Sequence, residues 1–298
     1  MSIHKIAAIV VTYKRKPLLK ECINSLLKQT YKDLDILIID NHSLDGTDQL
    51  VHSFKDDRVL YQDTGQNLGG AGGFQYGIRE GVERGYDYLW LMDDDSIPEP
   101  KALSNLVKTH KQLPNNGFLS SKVLWKDGSM CQMNIPKVSL NRKLTDFEGH
   151  AKRIIMTSFV SFFVSAQVVR KVGLPIKEFF IWADDFEYSR RISRQYPCYF
   201  VPSSIVVHKC KSNTGSNIVN DSVDRLPRYR YAYRNEVYVY RREGFAGWIH
   251  LALKTILHLT RCQLKAKDHK AERRQIILQA TLKGFSFHPK IEYVKTKD

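Results

Sequence analysis

The sequence of 298 residues has no apolar run long enough to span a membrane and no Cys-x-x-Cys pair. Its first apolar run, Ile6–Val11, has six residues, and its mean hydropathy is −0.36. A secretory signal needs an apolar region of about 7–15 residues, so this run is better interpreted as a buried strand. The five cysteines are scattered and odd in number, which argues against a disulfide framework or a zinc ribbon. These absences predict a cytosolic protein with reduced thiols that fill the core or the surface.

Acidic residues are few relative to basic ones: 31 Asp and Glu stand against 46 Lys and Arg, a net charge of +15. The excess is concentrated near the end of the chain. Residues 225–298 hold 17 Lys and Arg and 6 Asp and Glu, whereas residues 1–224 carry only +4. We therefore predict a globular domain over 1–224 and a basic helical region over 225–298. Such asymmetry indicates a polyanionic partner, either nucleic acid or an anionic membrane surface.

The basic region contains an amphipathic segment, Phe245–Cys262, whose apolar residues recur at helical spacing. Lys254, His258 and Arg261 interrupt it, so it does not span a bilayer. A basic cluster follows over Lys265–Arg274, and an apolar face with a basic flank is typical of an interfacial helix. A helix packed on the core with a solvated basic exterior fits the same pattern. Nucleic acid is disfavoured, since the chain shows no zinc-finger, helix-turn-helix or RNA-recognition signature.

Strand and helix patterns alternate through the first 110 residues or so. Apolar runs at Ile6–Thr12, Leu34–Asp40 and Tyr88–Asp93 predict strands, and a helix is expected over Gly72–Arg84 after a glycine-rich loop. This alternation predicts an α/β fold with a doubly wound, mostly parallel sheet and flanking helices. Ligands bind at the carboxyl ends of such strands. These ends carry polar residues here, which predicts one polar cleft: Thr12, Tyr13, Arg15, Asp40 and Asp93–Asp95.

Three adjacent carboxylates, Asp93–Asp95, follow the buried-looking strand directly. Carboxylates this close repel one another unless a cation neutralises them. Strand alternation puts Asp93 and Asp95 on one side and Asp94 on the other, so the first two are placed to bind Mg²⁺ or Mn²⁺. The alternative is an acidic surface turn, since prolines follow. His208 ends another predicted strand, Cys198–His208, and its imidazole is there in a position to reach a metal.

Two further motifs open helices. The glycines of NLGGAGG, residues 67–73, allow close approach of a ligand to the backbone, although a flexible connection is an alternative. In ADDFEY, residues 183–188, Asp184 and Asp185 lie in a predicted first helical turn, where acids stabilise the helix dipole. Asp40 ends the second predicted strand, where it is placed to cap the turn into Ser43.

Five motifs in order, AAIVVTYKR, IIDNHSLDGT, NLGGAGG, WLMDDD and ADDFEYSRR, resemble the GT-A, family-2 inverting glycosyltransferases. NLGGAGG together with DDD is most similar to the branch that holds bacterial galactofuranosyltransferases and rhamnosyltransferases. The resemblance covers about residues 5–210, and weakly RYRYAYRN at 228–235. Where the family often has Trp directly before the acid pair, this chain has Ala183, with Trp182 one residue earlier.

The resemblance implies a role for each candidate. Asp93, Asp95 and His208 are expected to hold the metal, with Asp94 assisting, and Asp185 is expected to act as the general base, with Asp184 second. Nucleotide and donor-sugar contacts are expected from the residues that match the family's binding motifs: Thr12, Tyr13, Arg15, Asp40, Asn67, Gly69, Gly70, Asp93 and Asp94.

These expectations describe a cytoplasmic, metal-dependent inverting glycosyltransferase, peripheral on the inner face of the cell membrane. The expected donor is UDP-galactofuranose, with dTDP-rhamnose as the alternative. The expected acceptor is a polysaccharide or lipid-linked glycan of a bacterial surface. A non-catalytic nucleic-acid or membrane-binding module is the alternative of another class, and the sequence leaves homo-oligomerisation open.

Overall fold

A computed structural model describes residues 5–295 of the chain. Nine strands form a single sheet: β1 (Ile6–Thr12), β2 (Leu34–Asp40), β3 (Val59–Asp63), β4 (Tyr88–Asp93), β5 (Ser96–Pro98), β6 (Phe118–Trp125), β7 (Lys152–Arg153), β8 (Phe162–Ser165) and β9 (Tyr199–His208). The α-helices of the described residues are α1 (Lys16–Leu27), α2 (Thr47–His52), α3 (Gly69–Glu83), α4 (Ala102–Gln112), α5 (Ala166–Val172), α6 (Asp184–Ser193), α7 (Tyr229–Tyr240), α8 (Gly244–Lys265) and α9 (Lys270–Phe285). Short 3₁₀ turns cover Lys177–Phe179, Val223–Arg228 and Arg241–Glu243.

The strands run in the order β3-β2-β1-β4-β8-β6-β9-β5, with β7 beside β9. The first four are parallel to one another, whereas β8 is antiparallel to both β4 and β6. The predicted α/β fold with a mostly parallel sheet is confirmed. The predicted bounds of β1, β2 and β4 agree with the structure residue for residue.

Alternation along β1 builds the two layers of the core. Ala7, Ile9 and Val11 pack on one face of the sheet, and their neighbours in the strand pack on the other face. Every residue of β1 is buried, as expected for a central parallel strand that is covered by helices on both sides.

The glycine-rich segment differs from the expectation. No loop precedes the helix at Gly72; instead α3 already begins at Gly69. Gly73, Gly77 and Gly81 lie four residues apart and face the sheet, where an added Cβ would come within 2.6 Å of a side chain on β1 or β4. The glycines therefore bring α3 into close contact with the sheet, rather than forming a flexible connection.

The helices after residue 228 have a small core of their own and are also tied to the sheet domain. Glu243 accepts hydrogen bonds from Arg190 at 2.7 and 2.9 Å, and Asn235 of α7 reaches the segment before α6. The division between 224 and 225 stays a prediction. No helix among residues 5–295 is both long enough and apolar enough to cross a membrane.

Candidate active site

The pairing of β5 with β9 places a histidine beside the acidic turn. The two strands are antiparallel, with Ser96 opposite His208. Since Ser96 directly follows the three aspartates, this register puts the His208 ring against Asp95, with Nε2 at 3.0 Å from Oδ1. Strand β4 ends at Asp93, and Asp94 and Asp95 form the turn that leads to β5.

Asp93, Asp95 and His208 form a cluster suited to a divalent cation. Each offers one ligand atom, and these atoms all lie within 4.8 Å of one another. Asp95 Oδ1 is buried, and despite its short distance from Nε2 it makes no hydrogen bond of good geometry. Two carboxylates and an imidazole are a donor set that Mn²⁺ or Mg²⁺ accepts, so the residues fit the predicted ion.

Burial and mutual repulsion dominate the electrostatics of the three acids. Burial, followed by the charge of Asp95, raises the pKa of Asp93, and burial raises the pKa of Asp94 to about 6 against the influence of Arg15. Burial alone would raise the pKa of Asp95, but contacts with His208 and Arg15 hold it below its ordinary value. Burial alone would lower the pKa of His208, yet Asp95 and two cysteines raise it. The acids thus create a strong demand for positive charge.

Asp94 is not part of the cluster. The strand alternation used to separate it from Asp93 and Asp95 does not apply, because Asp94 and Asp95 lie in a turn. Asp94 accepts hydrogen bonds from the Thr12 hydroxyl and from Arg15, both at 2.8 Å. Arg15 also donates to Asp95 at 2.8 Å. Asp94 and Thr12 therefore position Arg15 at the edge of the acidic cluster, where a guanidinium is suited to contact a diphosphate.

The other ring nitrogen of His208, Nδ1, lies close to residues that were not predicted to belong to the site. This nitrogen lies 2.8 Å from Asn134 Oδ1 and 3.7 Å from Cys131 Sγ, and Cys131 Sγ lies 4.0 Å from Cys210 Sγ. These two thiols were expected to be filler. They instead form, with His208, a second group of three ligand atoms within 4.8 Å. Such a contact across 77 and 79 residues carries no local sequence signal.

The acids of ADDFEY lie at the start of α6, directly after a strained segment, 180–183. Phe180, Trp182 and Ala183 all have positive φ (61°, 66° and 67°), which costs free energy in residues other than glycine. The fully buried Asn235 holds this segment, since its Nδ2 lies 3.0, 3.2 and 2.9 Å from the carbonyl oxygens of Phe179, Ile181 and Trp182. Asn235 was not predicted as a site residue.

Burial, with the charge of Asp184 second, raises the pKa of Asp185 well above its usual value, and burial raises the pKa of Asp184 to about 6. Glu187, one turn later, lies buried and pairs with Arg191 at 2.8 Å. This pair lies within α6, and Arg191 in turn donates to the carbonyl oxygens of Val172 and Leu174. Asp184 and Asp185 are therefore the acids of this motif that face the cleft.

Both groups of acids line one cavity of about 840 Å³. Asp93, Asp95, His208 and Arg15 lie on its wall together with Asp184 and Asp185. Helices α7 and α8 add further polar residues: Tyr233, Glu236, Lys254, His258 and Arg261. The basic C-terminal region therefore forms part of the wall of the cavity that holds both groups of acids.

Other predicted residues lie outside this cavity lining. Asp40 is buried and accepts hydrogen bonds from the Ser43 backbone and hydroxyl and from the Tyr61 hydroxyl, at 2.8 Å for Tyr61. This is the turn-capping arrangement that was its alternative. Asn67 Oδ1 accepts from the Gly69 backbone N–H at 2.9 Å at the start of α3. Their contacts with a nucleotide stay predictions.

Of the remaining predicted nucleotide and sugar contacts, one lines the cavity and the others do not. Gly70 lines the cavity, whereas Gly69 packs beneath Phe180, whose carbonyl oxygen would lie 2.2 Å from an added Cβ. Tyr13 is 39% exposed, beside Lys14. The structure therefore brings the metal and base candidates together and leaves part of the predicted nucleotide set outside the cavity.

Solved structures share this architecture. A crystal structure of S. aureus TarS 1-349 has a TM-score of 0.59 and covers 95% of this chain and 72% of that chain at 14% identity. The same protein in complex with UDP-GlcNAc has a TM-score of 0.55, with the same 95% of this chain covered. A mannosyltransferase from Pyrobaculum calidifontis, in complex with GDP-Man and Mn²⁺, also has a TM-score of 0.55, at 13% identity and with 95% and 75% of the two chains covered. The fold is that of the GT-A glycosyltransferases.

Sequence comparison identifies the family. The profile of glycosyl transferase family 2 matches residues 7–162, so the chain belongs to this family and is a glycosyltransferase. Galactofuranosyltransferase GlfT1 of Mycolicibacterium smegmatis is 25% identical over 258 residues, which is 80% of this chain and 84% of that protein. A GalNAc(5)-diNAcBac-PP-undecaprenol beta-1,3-glucosyltransferase of Campylobacter jejuni is 29% identical over 186 residues, which is 59% and 54% of the two chains. The resemblance noted from the motifs is confirmed.

Proposed function

We propose that this protein is a metal-dependent inverting glycosyltransferase that moves galactofuranose from UDP-galactofuranose to a lipid-linked glycan. The observation that carries the proposal is the shared cavity, which has the cation cluster of Asp93, Asp95 and His208 in the same space as Asp184 and Asp185. Likeness to galactofuranosyltransferases over most of both chains supports the donor. The name of the glucosyltransferase relative, with its PP-undecaprenol, supports a lipid-linked acceptor.

In the proposed reaction Asp185 removes the proton from an acceptor hydroxyl. The oxygen attacks the anomeric carbon of the donor from the opposite side, the bond from that carbon to the diphosphate oxygen breaks, and UDP leaves with the electron pair. A raised pKa suits Asp185 to this role, because a base is most effective when its pKa lies near the working pH. A divalent cation, when bound, neutralises the charge that develops on the diphosphate. Arg15 supplies a second, fixed positive charge.

A panel of UDP-, dTDP- and GDP-sugars, each assayed with Mn²⁺, Mg²⁺ or a chelator, tests the proposal. We expect turnover with UDP-galactofuranose and a divalent cation, and loss of turnover with the chelator. Turnover with dTDP-rhamnose instead would reassign the donor. Binding of UDP without hydrolysis or transfer for any sugar would refute an enzymatic role in sugar transfer.

We also propose that α8 and α9 dock on the inner face of the cell membrane. One face of this helical hairpin is apolar and exposed, with Phe245, Leu253 and Ile256 at 81%, 63% and 60% exposure. Residues of α9 extend the face, and Trp248 stacks on Phe285 with ring centroids 5.7 Å apart. Exposed basic residues between Lys265 and Arg274 flank it. Burial of exposed apolar surface beside basic residues favours an anionic lipid surface.

Flotation with vesicles that contain phosphatidylglycerol tests the docking. The change Leu253→Asp should reduce the bound fraction, because a buried leucine contributes about 1.5–3 kcal/mol that a charged residue removes. Leu44, 81% exposed and far along the chain in the loop before α2, offers a matched control as Leu44→Asp. Equal flotation of wild type and both variants would refute docking through this face.

A further inference from the structure

Besides its exposed apolar face, helix α8 has a second face that carries basic residues. Lys254, His258 and Arg261 recur at spacings of four and three residues, and all three line the cavity that holds Asp185. At about 100° per residue they fall within a sector of roughly 60°. This basic row is therefore a continuous feature of one side of the helix.

The row already contacts acidic and polar neighbours at its inner end. Lys254 Nζ lies 2.6 Å from Glu236 Oε1, and Glu236 Oε2 is buried with no hydrogen-bond partner among the described residues. His258 Nδ1 lies 2.7 Å from the Tyr233 hydroxyl. Arg261, at the outer end, is exposed and forms no ion pair within residues 5–295. The outer end thus has unneutralised positive charge at the cavity wall.

The basic row lies between the exposed apolar face of α8 and the cavity, and this position indicates what kind of ligand it binds. The apolar face of the same helix ends beside it, since Leu257 precedes Arg261 by one turn and is 46% exposed. Arg261 therefore lies between the exposed apolar face of α8 and the cavity that holds Asp185. If the acceptor glycan is joined to a membrane lipid through phosphate, as proposed above, a phosphate beside Arg261 would lie between these two environments.

We propose that Arg261, with His258 and Lys254, binds the phosphate groups that join the acceptor glycan to its lipid carrier. This inference rests on the proposed function, and it makes α8 the acceptor side of the active site rather than only a membrane contact. Guanidinium and ammonium groups form strong charge-assisted hydrogen bonds with phosphate. The free Oε2 of Glu236 is then available to accept a hydrogen bond from an acceptor hydroxyl.

Binding of farnesyl diphosphate tests the proposal, with Mn²⁺ and UDP kept saturating so that the nucleotide site is blocked. We expect Arg261→Gln to weaken binding of farnesyl diphosphate about tenfold, the usual effect of losing a hydrogen bond to a charged group. Arg230, an exposed arginine of α7 outside the cavity lining, gives the matched control Arg230→Gln. Farnesol, which lacks phosphate, should bind the variant and the wild type alike. Equal affinity of both variants for farnesyl diphosphate would overturn the proposal.

Two further measurements complete the test. One distinguishes the phosphate of the acceptor from that of a membrane phospholipid, and the other distinguishes failure of this inference from failure of the proposed function. Vesicles of phosphatidylglycerol should float equal amounts of both variants, and a loss confined to Arg261→Gln would instead make the row a phospholipid site and overturn the assignment. In transfer assays, Arg261→Gln should lower the preference for a lipid-diphosphate acceptor over an octyl glycoside of the same glycan. An equal loss on both acceptors would overturn the inference without affecting the proposed function. Absence of all transfer in the wild type would refute the proposed function, while the farnesyl diphosphate measurement still decides the inference.

Discussion

Asn235 offers a sharp test of how the acidic motif is positioned. Its side chain is fully buried, and its Nδ2 group reaches the carbonyl oxygens of Phe179, Ile181 and Trp182. The segment it holds contains three residues other than glycine with positive φ. Strained conformations of this kind cost of order 1–3 kcal/mol each and persist only where the surroundings enforce them. Asn235→Ala removes that enforcement.

The magnitude follows from the bonds that are lost. The Phe179 carbonyl retains another donor, the Ile181 backbone N–H at 2.7 Å, so Ile181 and Trp182 are the carbonyls most affected. A buried polar group left without a partner costs about 1–3 kcal/mol, so two such carbonyls predict a loss of roughly 2–6 kcal/mol in the free energy of unfolding. Displacement of the following acids by about 1 Å would lower kcat by about 100-fold.

Urea denaturation and steady-state kinetics measure the two effects. Asn115, an exposed asparagine, provides the matched control Asn115→Ala, which should change neither quantity appreciably. The affinity for UDP should be retained, because the residues of the acidic turn lie on other elements. A folded Asn235→Ala protein with kcat within about twofold of the wild type would refute the positioning argument.

Three other changes test separate parts of the account. Asp185→Asn should lower kcat by about 10²–10⁴ while UDP still binds, and retention of kcat would remove Asp185 from its role as base. Burial raises the pKa of Asp184 to about 6, so ionisation of this carboxyl destabilises the folded state as the pH rises through that value. Asp184→Asn should therefore raise Tm at pH 8 and have less effect at pH 4. The reverse trend would contradict this assignment. Gly73→Ala should destabilise the protein by about 1–3 kcal/mol, since its Cβ would lie 2.6 Å from Val11 Cγ1. Gly70→Ala, with nothing within 4 Å of the new Cβ, should not, and equal Tm values would show that α3 has room to move.

Local patterns were sufficient for the bounds of β1, β2 and β4, and they drew attention to Asp93 and Asp95, two of the three residues of the candidate metal cluster. The continuous apolar runs of β2 and β4 predicted their bounds. The two-residue period of a strand does not extend to Asp94 and Asp95, because β4 ends at Asp93 and these two residues form a turn. The contact between His208 and Asp95 depends instead on the pairing of β5 with β9, across more than 100 residues. No periodicity within either segment specifies that register. The position of His208 at a strand end made it a candidate, and the family resemblance is what implied its role as a ligand.

Long-range packing also explains what the sequence did not predict. Glycines at intervals of four, from Gly69 to Gly81, fit a flexible loop or a close helix contact equally well until the partner surface is known. Helical spacing in Phe245–Cys262 predicted α8, yet it does not tell which of its faces meets the cavity. Asn235 is one polar residue in an aromatic-rich helix, and its role depends on a segment more than 50 residues away.

Binding of Mn²⁺, followed by electron paramagnetic resonance with and without UDP, tests the central claim most directly. The account predicts one Mn²⁺ per chain, tighter binding when UDP is present, and at least about tenfold weaker binding in Asp95→Asn, because one carboxylate ligand is lost. Asp127, exposed in a turn after β6, serves as the matched control Asp127→Asn. Unchanged Mn²⁺ affinity in Asp95→Asn, or no response to UDP, would contradict a cation held by Asp93, Asp95 and His208.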